Sequence, residues 1–162
     1  MLETPTLDAA SFYNALSDVY DDLTGTDARE EGARRFVDRL IKGVSVQSGL
    51  DVACGTGVFT QALARRGVQT VGCDISADML AVADTRGRSA GLGIAWECAP
   101  MQALPDSVAG PFDIVLCMGN SLPHLLDRAE LGAALRGFAG RQPRAGMLAL
   151  HLLNYSHVLA TG

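Results

Sequence analysis

The sequence predicts an α/β fold built on a doubly wound parallel sheet, strand order 3-2-1-4-5, preceded by N-terminal helices. Three observations predict it. Short apolar segments alternate with helical ones from residue 49 to residue 153. Residues 112–117 form an unbroken apolar run after Asp113, as a strand buried on both faces requires. Leu50-Asp51-Val52-Ala53-Cys54-Gly55-Thr56-Gly57 reads as a strand entering a tight glycine turn that opens a helix, and a second strand then ends on Asp74. The 162 residues fit one domain. A chain of that length buries roughly 68–70% of its unfolded surface.

The elements follow in order. Residues 7–20 predict a helix with Leu7, Phe12, Leu16, Val19 and Tyr20 along one side and Asp8 in the early turn. Phe12, Tyr13 and Tyr20 stand at helical spacing and are expected in the core. Residues 27–42 predict a second helix, with Phe36, Val37, Leu40 and Ile41 on one face. Its acids Asp27, Glu30 and Glu31 come early and Lys42 late, in agreement with the helix dipole, and Gly43 stops it. Strand one spans 49–54, a helix 57–66, and strand two 69–73. Ser76 caps a helix over 77–86 that carries Met79, Leu80 and Val82. Strand three spans 94–98, with Trp96 packing beside it, and strand four 112–117. A helix over 128–137 leads to strand five at 147–153. Segments 87–93 and 141–146 are expected as ordinary turns. Helices between strands imply right-handed crossovers and a sheet covered on both faces.

Composition excludes several classes of partner. The formal charge is −5, and no basic cluster exceeds Arg34-Arg35 or Arg65-Arg66, which argues against a nucleic-acid backbone. Met1-Leu2-Glu3-Thr4-Pro5 carries an acid and no apolar run, so no signal peptide is read, and no apolar stretch approaches the roughly 20 residues of a membrane span. A cytoplasmic location is expected. Cys54, Cys73, Cys98 and Cys117 form no C-x-x-C pair; they are read as reduced, mostly buried thiols, and no metal site is expected. His151 and His157 are expected as core and surface histidines.

The glycine turn carries the chemistry. Gly55 and Gly57 let the backbone pass close to a ligand, and an acid ending the second strand accepts hydrogen bonds from ribose hydroxyls. Thr60 stands where a dinucleotide-binding loop has a third glycine. Asp51, inside the first strand, would repel a pyrophosphate. It suits a cation such as a sulfonium or an ammonium group.

With these residues the sequence resembles the class I S-adenosylmethionine-dependent methyltransferases, which have a Rossmann-like fold. The likeness extends across nearly the whole chain and points to the branch of glycine N-methyltransferase and the glycine/sarcosine methyltransferases. The shared stretches are LDVACGTG at 50–57, CDISADML at 73–80, FDIVLCMGNSLPHL at 112–125 and NYSHVLATG at 154–162. The resemblance implies one methyltransferase domain over 1–162, with a helical lid at 1–43 and a cofactor-binding core at 44–162. It implies S-adenosylmethionine as cofactor and a small-molecule methyl acceptor, an amine. Ala53, Gly55 and Gly57 would line the methionine portion, and Asp51 would hold the loop and favour the positive end. Asp74 would accept from both ribose hydroxyls, with Ile75 and Met79 against the adenine and Met101 flanking its edge. Met118 and His124 match cofactor contacts after strand four, and Arg29 matches an arginine that reaches the cofactor carboxylate. Asn120 matches a residue orienting the substrate, and Tyr20 falls near a tyrosine of the lid.

The sequence departs from the family in three places. Pro100 replaces a polar residue that bonds the adenine amino group. Leu152-Leu153 stand where the glycine enzymes carry polar and basic residues. The family's final antiparallel strands lie past Gly162, so strand five is expected to present an apolar edge, and either further residues or another protomer is expected to cover it. Methyl transfer from a sulfonium needs no metal; holding the reacting atoms in line is worth about 7–11 kcal/mol in favourable cases. An amine would be held neutral by Asn120, the Gly119 carbonyl and a tyrosine hydroxyl. Two other readings of the same residues are a cofactor-binding or regulatory protein without turnover and a nicotinamide-dependent oxidoreductase, which Asp51 and Thr60 oppose.

Overall fold

The structure, a computed structural model, describes residues 8–17, 20 and 25–161. Its strands are β1 Ser48–Val52, β2 Gln69–Asp74, β3 Ile94–Cys98, β4 Ile114–Cys117 and β5 Met147–Leu150. Its described helices are α1 Ala9–Leu16, α2 Thr26–Leu40, α3 Val58–Ala64, α4 Ala77–Ser89, α5 Arg128–Gly140 and α6 Tyr155–Thr161, with a 3-10 turn at Leu122–His124. The strands form one parallel sheet in the order β3-β2-β1-β4-β5, the order the sequence predicts.

Strand alternation builds a core on each face. Leu50 and Val52 of β1 share one face with Val115 and Cys117 of β4, and Ala134 and Phe138 of α5 cover them. Ile114 and Leu116 face the other way, onto Val37 of α2 and Ala62 and Leu63 of α3. Burial on both faces is why β4 carries no polar residue. Side chains fix the helix starts. Ser76 Oγ accepts from the Met79 amide at 3.1 Å, and Asp127 accepts from the amides of Ala129 and Glu130 at 2.6 and 3.1 Å. Such a cap stabilises by about 1 kcal/mol.

The structure corrects several expectations. Strand four begins at Ile114, because the Phe112 amide bonds to the Arg141 carbonyl at 2.7 Å, outside the ladder. Strand five ends at Leu150, after which the side chain of Asn120 takes the Leu153 amide at 3.0 Å. His151 is exposed, not a core residue. Helix α4 runs through Gly87 to Ser89. Helix α1 buries none of its residues: Phe12 is 46% exposed, and Tyr13 turns toward a cavity. Leu7 and Val19, expected on that helix, lie outside the described residues.

Segment 141–146 is more than a turn. The Arg141 guanidinium donates to the carbonyls of Leu104 and Val108 at 2.8 Å, of Pro105 at 3.0 Å and of Gly137 at 3.2 Å. One side chain thereby fastens the loop after β3 to the end of α5. Replacing Arg141 with Met leaves these half-buried carbonyls without their charged donor. Urea unfolding should then show a loss of at least about 2 kcal/mol. The same change at exposed Arg144 should stay within about 0.5 kcal/mol.

Candidate functional site

The sheet reverses direction of growth at β1, which lies between β2 and β4. A cavity of about 210 Å³ sits at the carboxyl ends of β1 to β4, where such a reversal leaves a crevice. Its floor is built by Asp51 and the turn that follows. Asp51 alternates with Leu50 and Val52, so it points away from their face and toward α3. Thr60, in the first turn of α3, donates its Oγ1 hydrogen to Asp51 Oδ2 at 2.6 Å. Both are buried. Burial pushes the Asp51 carboxyl up to about 7, against the Thr60 hydrogen bonds, and the neighbouring Asp74 adds to the rise.

The turn itself is strongly bent. Ala53, Gly55 and Gly57 have φ of 55°, 54° and 78°. Positive φ at Ala53, a residue with a Cβ, is sustained only by surroundings that hold it there. Those surroundings include Asp74. Its Oδ2 accepts from the Gly55 amide at 2.7 Å and its Oδ1 from the Ser76 amide at 2.9 Å. A carboxylate offers about four acceptor positions, so capacity remains on Asp74 toward the cavity. Burial raises its pKa in spite of these bonds. Cys54 also lines the cavity, but burial holds its thiol far above the ordinary range, so it is no nucleophile.

The N-terminal segment forms a wall. Tyr13 of α1 and His124 of the 3-10 turn meet through Oη and Nε2 at 3.1 Å. The Tyr20 ring stands edge-on to Tyr13, centroids 6.3 Å apart, and the Arg29 guanidinium lies 5.1 Å from the Tyr20 centroid. Ser76 Oγ donates to Asn14 Oδ1 at 2.5 Å, tying α1 to the start of α4.

Most residues singled out in the sequence meet in this cavity. Asp51, Ala53, Gly55, Asp74, Ile75 and Met79 line it from the first half of the sheet. Met101, Met118 and His124 line it from the second half, and Tyr20 and Arg29 from the N-terminal segment. Gly57 and Asn120 do not. Gly57 packs against Trp96, where a methyl group on its Cα would lie 2.7 Å from the indole. Asn120, at φ 64°, donates Nδ2 to the Tyr155 hydroxyl at 2.6 Å and accepts the Leu153 amide on Oδ1. Tyr13 and Tyr20 are therefore walls of the cavity and not core residues, and Trp96 reaches beyond its strand to the turn.

Sequence reading missed Tyr13, Phe59, Gln102, Ser121 and Glu130 among the lining residues. Tyr13 carried a signal, standing two helical turns before Tyr20. Helix α5 begins at Arg128 as expected, but that Glu130 in its first turn reaches the cavity depends on packing that no local pattern reveals. Among the described residues no three His, Cys, Asp or Glu side chains gather as metal ligands. Among them no helix is long and apolar enough to cross a membrane.

A family model described as a methyltransferase domain matches residues 50–141, more than half of the chain. The chain belongs to the class I S-adenosylmethionine-dependent methyltransferases. This methyltransferase domain is 34% identical over 146 residues to a glycine/sarcosine N-methyltransferase of Parasynechococcus marenigrum, covering 90% of this chain and 52% of that protein. It is 41% identical over 88 residues to a ubiquinone biosynthesis O-methyltransferase of Methylococcus capsulatus, covering 54% of this chain and 37% of that protein. Among solved structures it is similar to a S-adenosylmethionine-bound amino pentose methyltransferase of calicheamicin biosynthesis from Micromonospora echinaspora. There the TM-score is 0.72 and the identity 25%, over 83% of this chain and 56% of that one. The chain spans about half the length of curated relatives that it matches along most of its own length.

Asp51 gives this methyltransferase domain a pH signature. Its pKa rises from about 4 in the unfolded chain to about 7 in the fold. Its contribution to stability is thus complete below about pH 4 and lost as pH rises through about 7. In thermal unfolding of the ligand-free protein, the Asp51→Asn variant should exceed wild type by several degrees at pH 8. The gap should narrow as pH falls and close at about pH 4. A gap that does not change with pH would remove this reading of Asp51.

Proposed function

We propose that the domain binds S-adenosylmethionine in this cavity and transfers its methyl group to a small-molecule amine by in-line displacement. One observation carries the reading: two buried carboxylates, Asp51 and Asp74, and the Arg29 guanidinium converge with a left-handed glycine turn on a single crevice at the point where strand order reverses.

The donor set fits that cofactor. Asp74 keeps acceptor capacity for two ribose hydroxyls. Ile75, Met79, Pro100 and Met101 offer apolar walls to a purine. Asp51 faces the positive portion and Arg29 the carboxylate. When bound, S-adenosylmethionine supplies a methyl group already activated on a sulfonium. The protein's part is to align, to hold the amine neutral and to keep water out. Tyr13 and His124 close one side by their mutual hydrogen bond. In this reading the Tyr20 hydroxyl and the Gly119 carbonyl, both from residues that line the cavity, take hydrogens of the amine. Asn120 acts through the loop that carries Gly119, which its bonds to Tyr155 and Leu153 brace. Residues 1–43 serve as the lid of this site.

An amine is favoured over an oxygen acceptor by the reach of the similarity. Likeness to the N-methyltransferase extends over 90% of the chain, while likeness to the O-methyltransferase stops at 54%. Calorimetry should show S-adenosylhomocysteine binding to wild type, weakened at least about ten-fold in Asp74→Ala, which is about 1.4 kcal/mol. Mass spectrometry across a panel of amines and phenols should then show methylated amine. No heat with either nucleoside would refute the cofactor, and methylation of phenols alone would refute the amine.

A further inference from the structure

We infer that Trp96 is a positioning residue for the cofactor-binding turn, setting the shape of residues 53–57 from beneath. The register places it there. Asp51 pairs with Gly72 in the parallel ladder, and Gly72 pairs with Trp96. Residues level with one another in a parallel sheet point to the same face, so Trp96 points toward α3, as Asp51 does. Between them Gly72 has no side chain, and the indole lies across the strand in the space this leaves.

The fit is close. A methyl group on Gly72 would lie 2.4 Å from Trp96 Cζ3 and 2.5 Å from Cε3. One on Gly57, whose φ of 78° also favours glycine, would lie 2.7 Å from Cη2. Gly87 of α4 stands at ordinary contact distance from Cζ2. Three glycines from β2, the turn and α4 thus form a slot that one indole fills, and Cys54 Sγ borders the same space above Gly72.

The indole nitrogen gives a second, independent indication. Trp96 Nε1 is buried with no hydrogen-bond partner, alone in this among the described residues. That burial is unfavourable for the fold. What the indole offers over a phenyl ring is reach: a phenyl extends about as far as Cε3 and stops short of Cη2. The far edge of the ring is the part that touches Gly57, which caps α3. Gly57 in turn donates its amide to the Cys54 carbonyl at 3.0 Å, and between them Gly55 donates to Asp74.

This inference rests on the cofactor reading above only for its ligand, and the Trp96→Phe variant separates the two. The phenyl keeps the packing on Gly72 and gives up the contact with Gly57. The variant should fold, and amide exchange at Gly55 should quicken about ten-fold while Leu50 in β1 keeps its protection. Its affinity for S-adenosylhomocysteine should fall about ten-fold. A residue that only fills the core would leave Gly55 and Leu50 changed alike and the affinity within about two-fold; either result overturns the positioning role. Trp96 is the chain's single tryptophan, so wild-type emission is a further readout that requires no variant. It should shift on addition of S-adenosylhomocysteine, and emission unaltered at saturation would count against the role. Should wild type bind no S-adenosylhomocysteine at all, the cofactor reading fails, while exchange at Gly55 in Trp96→Phe still decides for or against control of the turn.

Discussion

The hydrogen bond from the Gly55 amide to the Asp74 carboxylate is the contact on which the site depends. It joins the turn after β1 to the end of β2, so neighbouring strand ends become one surface. Together with the bonds of the Cys54 amide to the Cys73 carbonyl and of the Gly57 amide to the Cys54 carbonyl, it opposes relaxation of the positive φ at Ala53 and Gly55. The carboxylate can do this because its other oxygen is anchored by the Ser76 amide and because the helix after it is capped by Ser76, not by Asp74 itself. The division of labour leaves Asp74 directed at the cavity.

Burial gives this arrangement its chemical character. Asp51 and Asp74 are both withdrawn from water and both disfavour their charged form there. A cation entering the cavity would relieve that cost, which is why the crevice suits a sulfonium nucleoside better than a pyrophosphate. Thr60 sits at the position a third glycine takes in dinucleotide-binding loops, and its hydroxyl holds Asp51.

Much of this was legible in the sequence because it is local. The order of strands follows from the alternation of apolar runs and helices, and the turn from Gly55, Gly57 and Asp74. What escaped reading depends on register and on distant packing. The contacts of the Asn120 amide with Tyr155 and Leu153 are of this kind, since those residues reach it only once β5 lies beside β4. Tyr13 was read as core because helical spacing alone does not say whether the apolar side meets a core or a cavity. Arg141 looked like a turn residue, since the carbonyls it binds at Leu104, Pro105 and Val108 lie far from it in sequence.

The most direct measurement of the central claim is a crystal structure of the domain with S-adenosylhomocysteine bound. The account predicts both ribose hydroxyls within hydrogen-bonding distance of the Asp74 carboxylate, with the Gly55 amide still donating to it. A nucleoside seated elsewhere, or a turn released from Asp74 to admit it, would contradict the account.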